Sequence, residues 1–262
     1  MNRIEMSITR FLAATAIMSL CAALSACHDA TAGMKGRQTS FVLALLDVSG
    51  TTNAARESYL SDLAGMMDQL QGGDVLWADQ ITENSLATSR VALRLELPSF
   101  DLLAQNRDDY NTQLSVLRKK AHSEAESLTN GKTQRTTILD ALLVAQKAFH
   151  GSRAAAASHR ILVLFSDMRE DSFRYVFDRE ILTSSRAKQI IAREKADHRI
   201  ADLKGVEVYV AGATADRTGD PEQIRRIQAF WQAYFRAAGT ELSDEHYSAS
   251  LLDFALPGTV RK

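Results

Sequence analysis

Oxygen-bearing side chains that suit metal binding are concentrated in three short segments of the chain. The first segment has Asp47, Ser49 and Thr51 at alternate positions, the second has Thr136, and the third has Asp167. Side chains at alternate positions can point the same way, and carboxylate and hydroxyl oxygens are ligands for small, hard cations. The three segments therefore predict a divalent-metal site, provided that the fold brings them together.

The second segment has a structural interpretation as well. Thr136 and Thr137 open a helical pattern, and hydroxyl side chains at the start of a helix are common N-caps. The functional interpretation is favoured because all three segments lie at strand or helix ends. Thr137 is an alternative to Thr136, one residue away.

Continuous apolar runs define the predicted strands. Residues 41–47, 160–167 and 206–211 are typical of strands buried on both faces, whereas residues 91–97 alternate like a half-exposed edge strand. Spacings of three and four residues predict five helices, at residues 53–70, 110–128, 138–149, 190–203 and 224–237. The predicted fold is α/β: an open, mostly parallel central sheet with helices on both faces, whose ligands bind at the carboxyl ends of the strands.

The three oxygen-bearing segments resemble the metal-ion-dependent adhesion site (MIDAS) of the von Willebrand factor A-type (vWA) family, which reads D-x-S-x-S, then Thr, then Asp. Asp47, Ser49 and Thr51 match the first part, with Thr in place of the last Ser. Thr136 matches the T-x-I/L-x-x-A-L pattern of the second part, and Asp167 matches the third. The resemblance extends over about residues 39–212 and implies a vWA-like, Rossmann-type topology.

This resemblance implies binding rather than catalysis. The hydroxyls of Ser49, Thr51 and Thr136 would ligate Mg²⁺ or Mn²⁺, and Asp47 and Asp167 would hold bound waters or one of them would ligate directly. Such a neutral set of ligands leaves the cation electron-poor, so that an acidic residue of a protein partner would complete the coordination.

A second resemblance points to an enzyme. Residues 47–51 also resemble the D-x-D-G-T loop of haloacid-dehalogenase-type phosphatases, in which Asp47 would attack a phosphoryl group while Asp167 and Asp171 help to hold Mg²⁺. Ser49 stands where that family has its general-acid Asp. Lys147 is the candidate for the phosphate-binding Lys, but it lies within an amphipathic helix, where a solvated surface charge is favoured. Binding is therefore favoured, and a metal-free envelope scaffold is the third alternative. Glu170 and Asp171 either edge the ligand surface or begin the next helix.

The N-terminus has the features of an export signal. Residues 11–23 are apolar, too few to span a bilayer as a helix but typical of a signal peptide. Leu24, Ser25, Ala26 and Cys27 then resemble the lipobox of bacterial lipoproteins. The resemblance implies a signal peptide at 1–26 and diacylglycerol and further acyl chains such as palmitate on Cys27; the alternative is an ordinary secretory signal cut near Ala26.

These features predict the organisation and location of the mature protein. A tether would occupy residues 27–38 and one vWA-like domain residues 39–262. The lipid would anchor the protein to the inner or the outer membrane of a bacterial envelope, with the domain in the periplasm. His28 follows the cysteine where many lipoproteins retained at the inner membrane have Asp, and this leaves the choice of membrane open.

Composition excludes several other functions. The 262 residues include 31 Lys and Arg against 32 Asp and Glu, a net charge of -1, which provides no overall basic field for nucleic acid. Cys21 would leave with the signal and Cys27 would be lipidated, so that disulfides and thiolate chemistry are not expected in the folded part. Phosphate-binding glycine loops and the G-x-S-x-G motif of hydrolases are absent.

Overall fold

The computed structural model describes residues 37–88, 90–101, 103–213, 220–251 and 254–257. The chain divides into two units, Met1–Gln38 and Thr39–Lys262. The predicted signal peptide, Cys27 and nearly all of the predicted tether lie outside the described residues. The fold described below is that of the second unit.

A six-stranded sheet forms the centre of the second unit. The strands are β1 (Ser40–Asp47), β2 (Val75–Ile81), β3 (Leu93–Glu96), β4 (His159–Phe165), β5 (Glu207–Ala211) and β6 (Tyr247–Ser248). Their order is β3-β2-β1-β4-β5-β6, and only the β2–β3 pair is antiparallel. This is the order of a doubly wound sheet, in which ligands bind where the chain direction across the sheet reverses, between β1 and β4.

The central strands are buried because helices cover both faces of the sheet. In β1, Phe41, Leu43 and Leu45 pack into one hydrophobic core, while the alternate residues Val42, Ala44 and Leu46 pack into the other. A strand that contributes to two cores has no polar face, and this explains the uninterrupted apolar run in the sequence.

The helices divide between the two faces. They are α1 (Arg56–Gln69), α2 (Ser85–Thr88), α3 (Arg107–Leu128), α4 (Ile138–Phe149), α5 (Ser152–Ala155), α6 (Ser184–Ala196) and α7 (Pro221–Ala237), with 3₁₀ turns at Gly50–Ala55 and Asp244–His246. Helices α1 and α3 cover one core, and α4, α6 and α7 cover the other. The predicted fold class, an open and mostly parallel α/β sheet with helices on both faces, is confirmed.

The predicted bounds of one helix were wrong. Helix α6 covers Ser184–Ala196 rather than 190–203, because Thr183 caps its start by accepting a hydrogen bond from the Arg186 amide. At its end, His198 adopts a left-handed φ of 55°, and the Arg199 amide donates to the Glu194 carbonyl at 2.7 Å. This bond closes the last turn and sends the chain back towards β5.

Helix α7 packs its aromatic residues into the core. Phe230, Trp231, Tyr234 and Phe235 are completely buried. Asp220 caps the helix, and Pro221 occupies its first position. Across the described residues, no helix combines the length and the apolar composition needed to span a membrane.

Candidate metal centre

Asp47 is the residue on which the three predicted segments converge. It ends β1 and is completely buried. Its Oδ1 accepts hydrogen bonds from the Ser49 amide at 2.8 Å and from the Thr136 hydroxyl at 3.3 Å, and its Oδ2 accepts one from the Ser166 hydroxyl at 2.9 Å. One carboxylate thus joins the loops that follow β1 and β4 to the start of α4.

The loop after β1 presents two hydroxyls side by side. Ser49 Oγ lies 3.0 Å from Thr51 Oγ1, with Ser49 buried and Thr51 exposed. Below them, the Thr52 hydroxyl bonds to the carbonyls of Asp47 at 2.9 Å and Ser49 at 3.0 Å, and this fixes the turn. The alternate spacing seen in the sequence therefore does bring two hydroxyl oxygens together at one exposed edge.

Thr136, and not Thr137, faces this edge. The Thr137 hydroxyl donates instead to the Thr82 carbonyl at 2.7 Å. Thr136 exchanges two backbone hydrogen bonds with Asp171, of 3.1 and 2.9 Å, and these hold its hydroxyl towards Asp47. Of these two threonines, Thr136 is the one whose hydroxyl bonds to Asp47, and it remains the predicted ligand.

Asp167 provides the second carboxylate of the site. Its exposed fraction is 4%, and its Oδ1 accepts from the Arg169 amide at 3.1 Å. Its Oδ2 has no hydrogen-bond partner among the described residues, and the nearest guanidinium nitrogen, Nε of Arg169, is 3.9 Å away. The next residue, Met168, has a left-handed φ of 63°, and its carbonyl accepts a 2.8 Å hydrogen bond from the indole of Trp231.

The two carboxylates repel each other electrostatically. Burial first, and then the negative charge of Asp47, raise the pKa of Asp167 to about 6, against the lowering effect of the Arg169 amide and the Thr51 hydroxyl. Burial also raises the pKa of Asp47, against the opposing effect of its hydrogen bonds to Ser49, Ser166 and Thr136. A cation between the two would remove this penalty, because it favours the ionised form of both groups.

The donor set fits a hard divalent cation. Two carboxylates and three hydroxyls meet at the edge between β1 and β4, and Asp167 Oδ2 is a buried oxygen that lacks a hydrogen bond in the described chain. The described residues contain no group of three or more His, Cys, Asp or Glu side chains that could hold a metal. Any cation here would therefore depend on the hydroxyls, and all-oxygen ligation suits Mg²⁺ and Mn²⁺.

Glu170 and Asp171 do not begin a helix, contrary to one of the two predictions for them. Glu170 is buried, with an exposed fraction of 1%, and its Oε2 accepts from the Leu139 amide at 3.1 Å, which caps the start of α4. Burial raises the pKa of Glu170 to about 8. Asp171 Oδ1 lies 3.7 Å from a guanidinium nitrogen of Arg135.

The phosphatase geometry is not assembled. A nucleophilic Asp47 would need a reachable oxygen, yet its carboxylate is completely buried and both oxygens accept hydrogen bonds. Asp171 pairs with Arg135. Lys147 is exposed in the last turn of α4, about 13.5 Å along the helix axis from Ile138 at 1.5 Å per residue.

Three residues around the site were not assigned from the sequence. Ser166 bonds Asp47, whereas Tyr59 and Tyr247 lie near Asp167. Ser166 stands directly after β4 and before Asp167, so its position at a strand end is a signal that sequence reasoning can use. The two tyrosines come from α1 and β6, and no local pattern connects them with Asp167.

The strand order and the placement of the three loops both match what the resemblance implies. The Rossmann-type order that the resemblance implies is present, and Asp47, Thr136 and Asp167 meet at the carboxyl ends of β1 and β4. The domain is vWA-like.

Several solved structures are similar to this vWA-like domain. Manganese-loaded TRAP protein of Plasmodium vivax is 14% identical, with 82% of this chain and 70% of that chain covered and a TM-score of 0.42. A von Willebrand factor type A protein from Catenulispora acidiphila is 16% identical (79% and 44% covered, TM-score 0.38), and the PilB minor pilin from Streptococcus sanguinis is 12% identical (80% and 57% covered, TM-score 0.45).

The vWA-like chain spans less than two thirds of the Catenulispora and Streptococcus proteins. No protein-family model matches the sequence, and no curated protein matches it. Since all three TM-scores are below 0.5, the vWA-like description rests on the strand order and on the three segments that meet at Asp47.

Proposed function

We propose that the domain is a metal-dependent protein-binding module. The observation that carries this proposal is the set of hydrogen bonds at Asp47, which unites the β1 loop, Thr136 and the β4 loop at one edge of the sheet. The buried, unbonded Oδ2 of Asp167 supports it further. The hydrogen bonds of Asp47 hold the three segments in place, and a cation would account for the unbonded oxygen of Asp167.

Ser49, Thr51 and Thr136 would hold the cation through their hydroxyls. Asp47 already uses both oxygens to orient its neighbours, so a role through bound water suits it, whereas Asp167 has an oxygen to spare for water or for the metal. Mg²⁺ fits this arrangement because it usually retains several waters; Mn²⁺ is the alternative. When bound, the ion supplies an electron-poor position that attracts a carboxylate.

The partner would be a protein that offers an acidic residue at this edge. Thr51 is exposed there, which leaves one side of the site open to an incoming side chain. Repulsion by Asp47 and Asp167 would prevent an acidic residue from binding without the cation. Binding of the partner would therefore require the metal.

We further propose that the protein acts in a bacterial envelope, anchored by lipid on Cys27 after removal of residues 1–26. The lipobox-like Leu24–Cys27 sequence supports this proposal. Several acyl chains would hold the protein firmly, and residues 27–38 would connect the anchor to the domain in the periplasm. The anchor would lie in the inner or the outer membrane.

The test of the metal site compares two adjacent threonines. Thr136→Ala should abolish the thermal stabilisation by Mg²⁺, which for the wild type is about 2.7 kcal/mol at one hundred times the dissociation constant. Thr137→Ala is the matched control, because its hydroxyl bonds to Thr82 and not to the site. The control should lose stability and still respond to Mg²⁺.

Two results contradict the proposal. The first is a wild-type protein that gains no stability from Mg²⁺ or Mn²⁺, and this would favour the metal-free scaffold. The second is a Thr136→Ala variant that responds like the wild type, since Thr136 would then be no ligand.

A further inference from the structure

Unpaired buried polar atoms concentrate around Asp167. Among the described residues, six buried side-chain nitrogen or oxygen atoms have no hydrogen-bond partner, and three of the six are Asp167 Oδ2, Tyr59 Oη and Tyr247 Oη. A buried polar group without a partner destabilises the folded state. Three such groups at one place indicate a common occupant rather than three separate defects.

Tyr247 approaches Asp167 from the edge of the sheet. Both side chains line a small cavity of about 10 Å³, the space of about one water molecule, together with Arg169, Ala213, Ile224 and Ile227. The exposed fraction of Tyr247 is only 9%. Burial and the negative charge of Asp167 raise the pKa of the Tyr247 phenol, which places the hydroxyl in the field of that carboxylate.

Tyr59 approaches from the opposite direction, from helix α1. Its ring packs against Phe165, two residues before Asp167, with 5.5 Å between the ring centroids. Its hydroxyl lies over Gly212, directly after β5, where an added Cβ would come within 2.1 Å of Oη. Gly212 has a φ of +98°, so a residue without a side chain is required there both for the backbone and for the phenol.

The cavity beside Asp167 has room for about one water molecule. Among the described residues, neither phenol hydroxyl forms a hydrogen bond with Asp167, although Tyr247 and Asp167 line the same cavity. A gap of this kind between polar groups is suited to a bridging water, which satisfies groups that are too far apart to bond directly. Direct structural pairing therefore does not explain why two phenols point at a buried carboxylate.

We propose that Tyr59 and Tyr247 are positioning residues that bind the waters through which Asp167 holds the cation. This inference rests on the proposed metal site. The phenols would donate hydrogen bonds to waters around the ion or accept hydrogen bonds from them. The hydroxyls of Ser49, Thr51 and Thr136 would face the other side of the ion. The site would thus be selective for an ion that keeps part of its hydration shell, as Mg²⁺ does.

The experiment removes the hydroxyls and nothing else. Tyr59→Phe, Tyr247→Phe and the double variant are compared with the wild type by calorimetric titration with Mg²⁺ and by thermal unfolding without metal. Loss of such outer contacts typically weakens metal affinity 10–100-fold, and we expect this range for the double variant. The unfolding midpoint of the metal-free double variant should stay equal or rise, because neither hydroxyl bonds to another described residue of the chain.

Tyr234→Phe is the matched control. Tyr234 is also completely buried, but its hydroxyl accepts a 3.2 Å hydrogen bond from the Ala201 amide. Its loss should lower the midpoint and leave Mg²⁺ affinity unchanged. The control should therefore change the unfolding midpoint alone, whereas the double variant should lose Mg²⁺ affinity without a lowered midpoint.

The outcomes separate this inference from the proposed function. A wild-type protein that binds Mg²⁺ beside a double variant of equal affinity overturns the role of the tyrosines and leaves the metal site standing. A double variant with a lowered metal-free midpoint and unchanged affinity does the same, since its phenols would then be structural. A wild-type protein that binds no Mg²⁺ overturns both.

Discussion

Asp47 and Asp167 are two buried carboxylates at the ends of adjacent strands, and their surroundings differ. Among the described residues, Asp47 accepts three hydrogen bonds, shared between both of its oxygens, whereas Asp167 accepts one from the Arg169 amide and its Oδ2 has no hydrogen-bond partner. The first residue therefore organises the protein's own loops, and the proposed role of the second is to hold a bound cation. Equal burial and equal chemistry do not imply equal roles.

The largest expected effect comes from Asp47→Ala. Three donors would lose their acceptor, so we expect the free energy of unfolding to fall by about 3 kcal/mol and Mg²⁺ binding to be lost. Denaturant unfolding and calorimetry measure the two quantities.

Asp74→Ala is the control for this variant. Asp74 is another completely buried aspartate, which accepts from the Ser40 amide at the opposite end of β1. It should cost comparable stability with no change in Mg²⁺ affinity. If Asp47→Ala were as stable as the wild type, the organising role of Asp47 would be wrong.

Asp167→Asn should separate stability from binding. Removal of one of two repelling buried charges should leave the metal-free protein as stable as the wild type or more stable by about 1 kcal/mol. Mg²⁺ affinity should nevertheless fall by about 100-fold. A marked loss of stability in this variant would show that Asp167, like Asp47, serves the fold.

The smallest expected effect is on pH dependence. The pKa of Asp167 rises from 3.8 to about 6 in the fold, so its contribution to metal-free stability is full below pH 4 and is lost as the pH rises through about 6. The cation requires the ionised form of Asp167. The dissociation constant for Mg²⁺ should therefore be about tenfold larger at pH 5 than at pH 7. Titrations at both pH values test this; equal constants would exclude Asp167 from the site.

The sequence was most informative where burial left a local pattern. The apolar runs at residues 41–46 of β1 and 161–165 of β4 are uninterrupted because each strand lies between two layers. Strand β2 was not assigned, since Asp79 and Gln80 interrupt its apolar residues. The start of α6 was missed because residues 184–189 are mostly polar and the signal there is the Thr183 cap.

The site was predictable only in part, for a similar reason. Asp47, Ser49, Thr51, Thr136 and Asp167 stand in motifs or at strand ends, and the structure brings them to one edge. The preference for Thr136 over Thr137 depends on Thr82, which is distant in sequence. Tyr59 and Tyr247 come near Asp167 only through the packing of α1 and β6. No spacing in the sequence predicts that proximity.

The hydrogen bonds of Asp47 span 89 residues to Thr136 and 119 residues to Ser166. Contacts of such long range form only after the loops between them have been closed, at a cost in chain entropy. The site is therefore a property of the finished sheet. In a nascent or partly unfolded chain the ligand oxygens are far apart. The cation would therefore bind folded molecules and not incompletely folded ones.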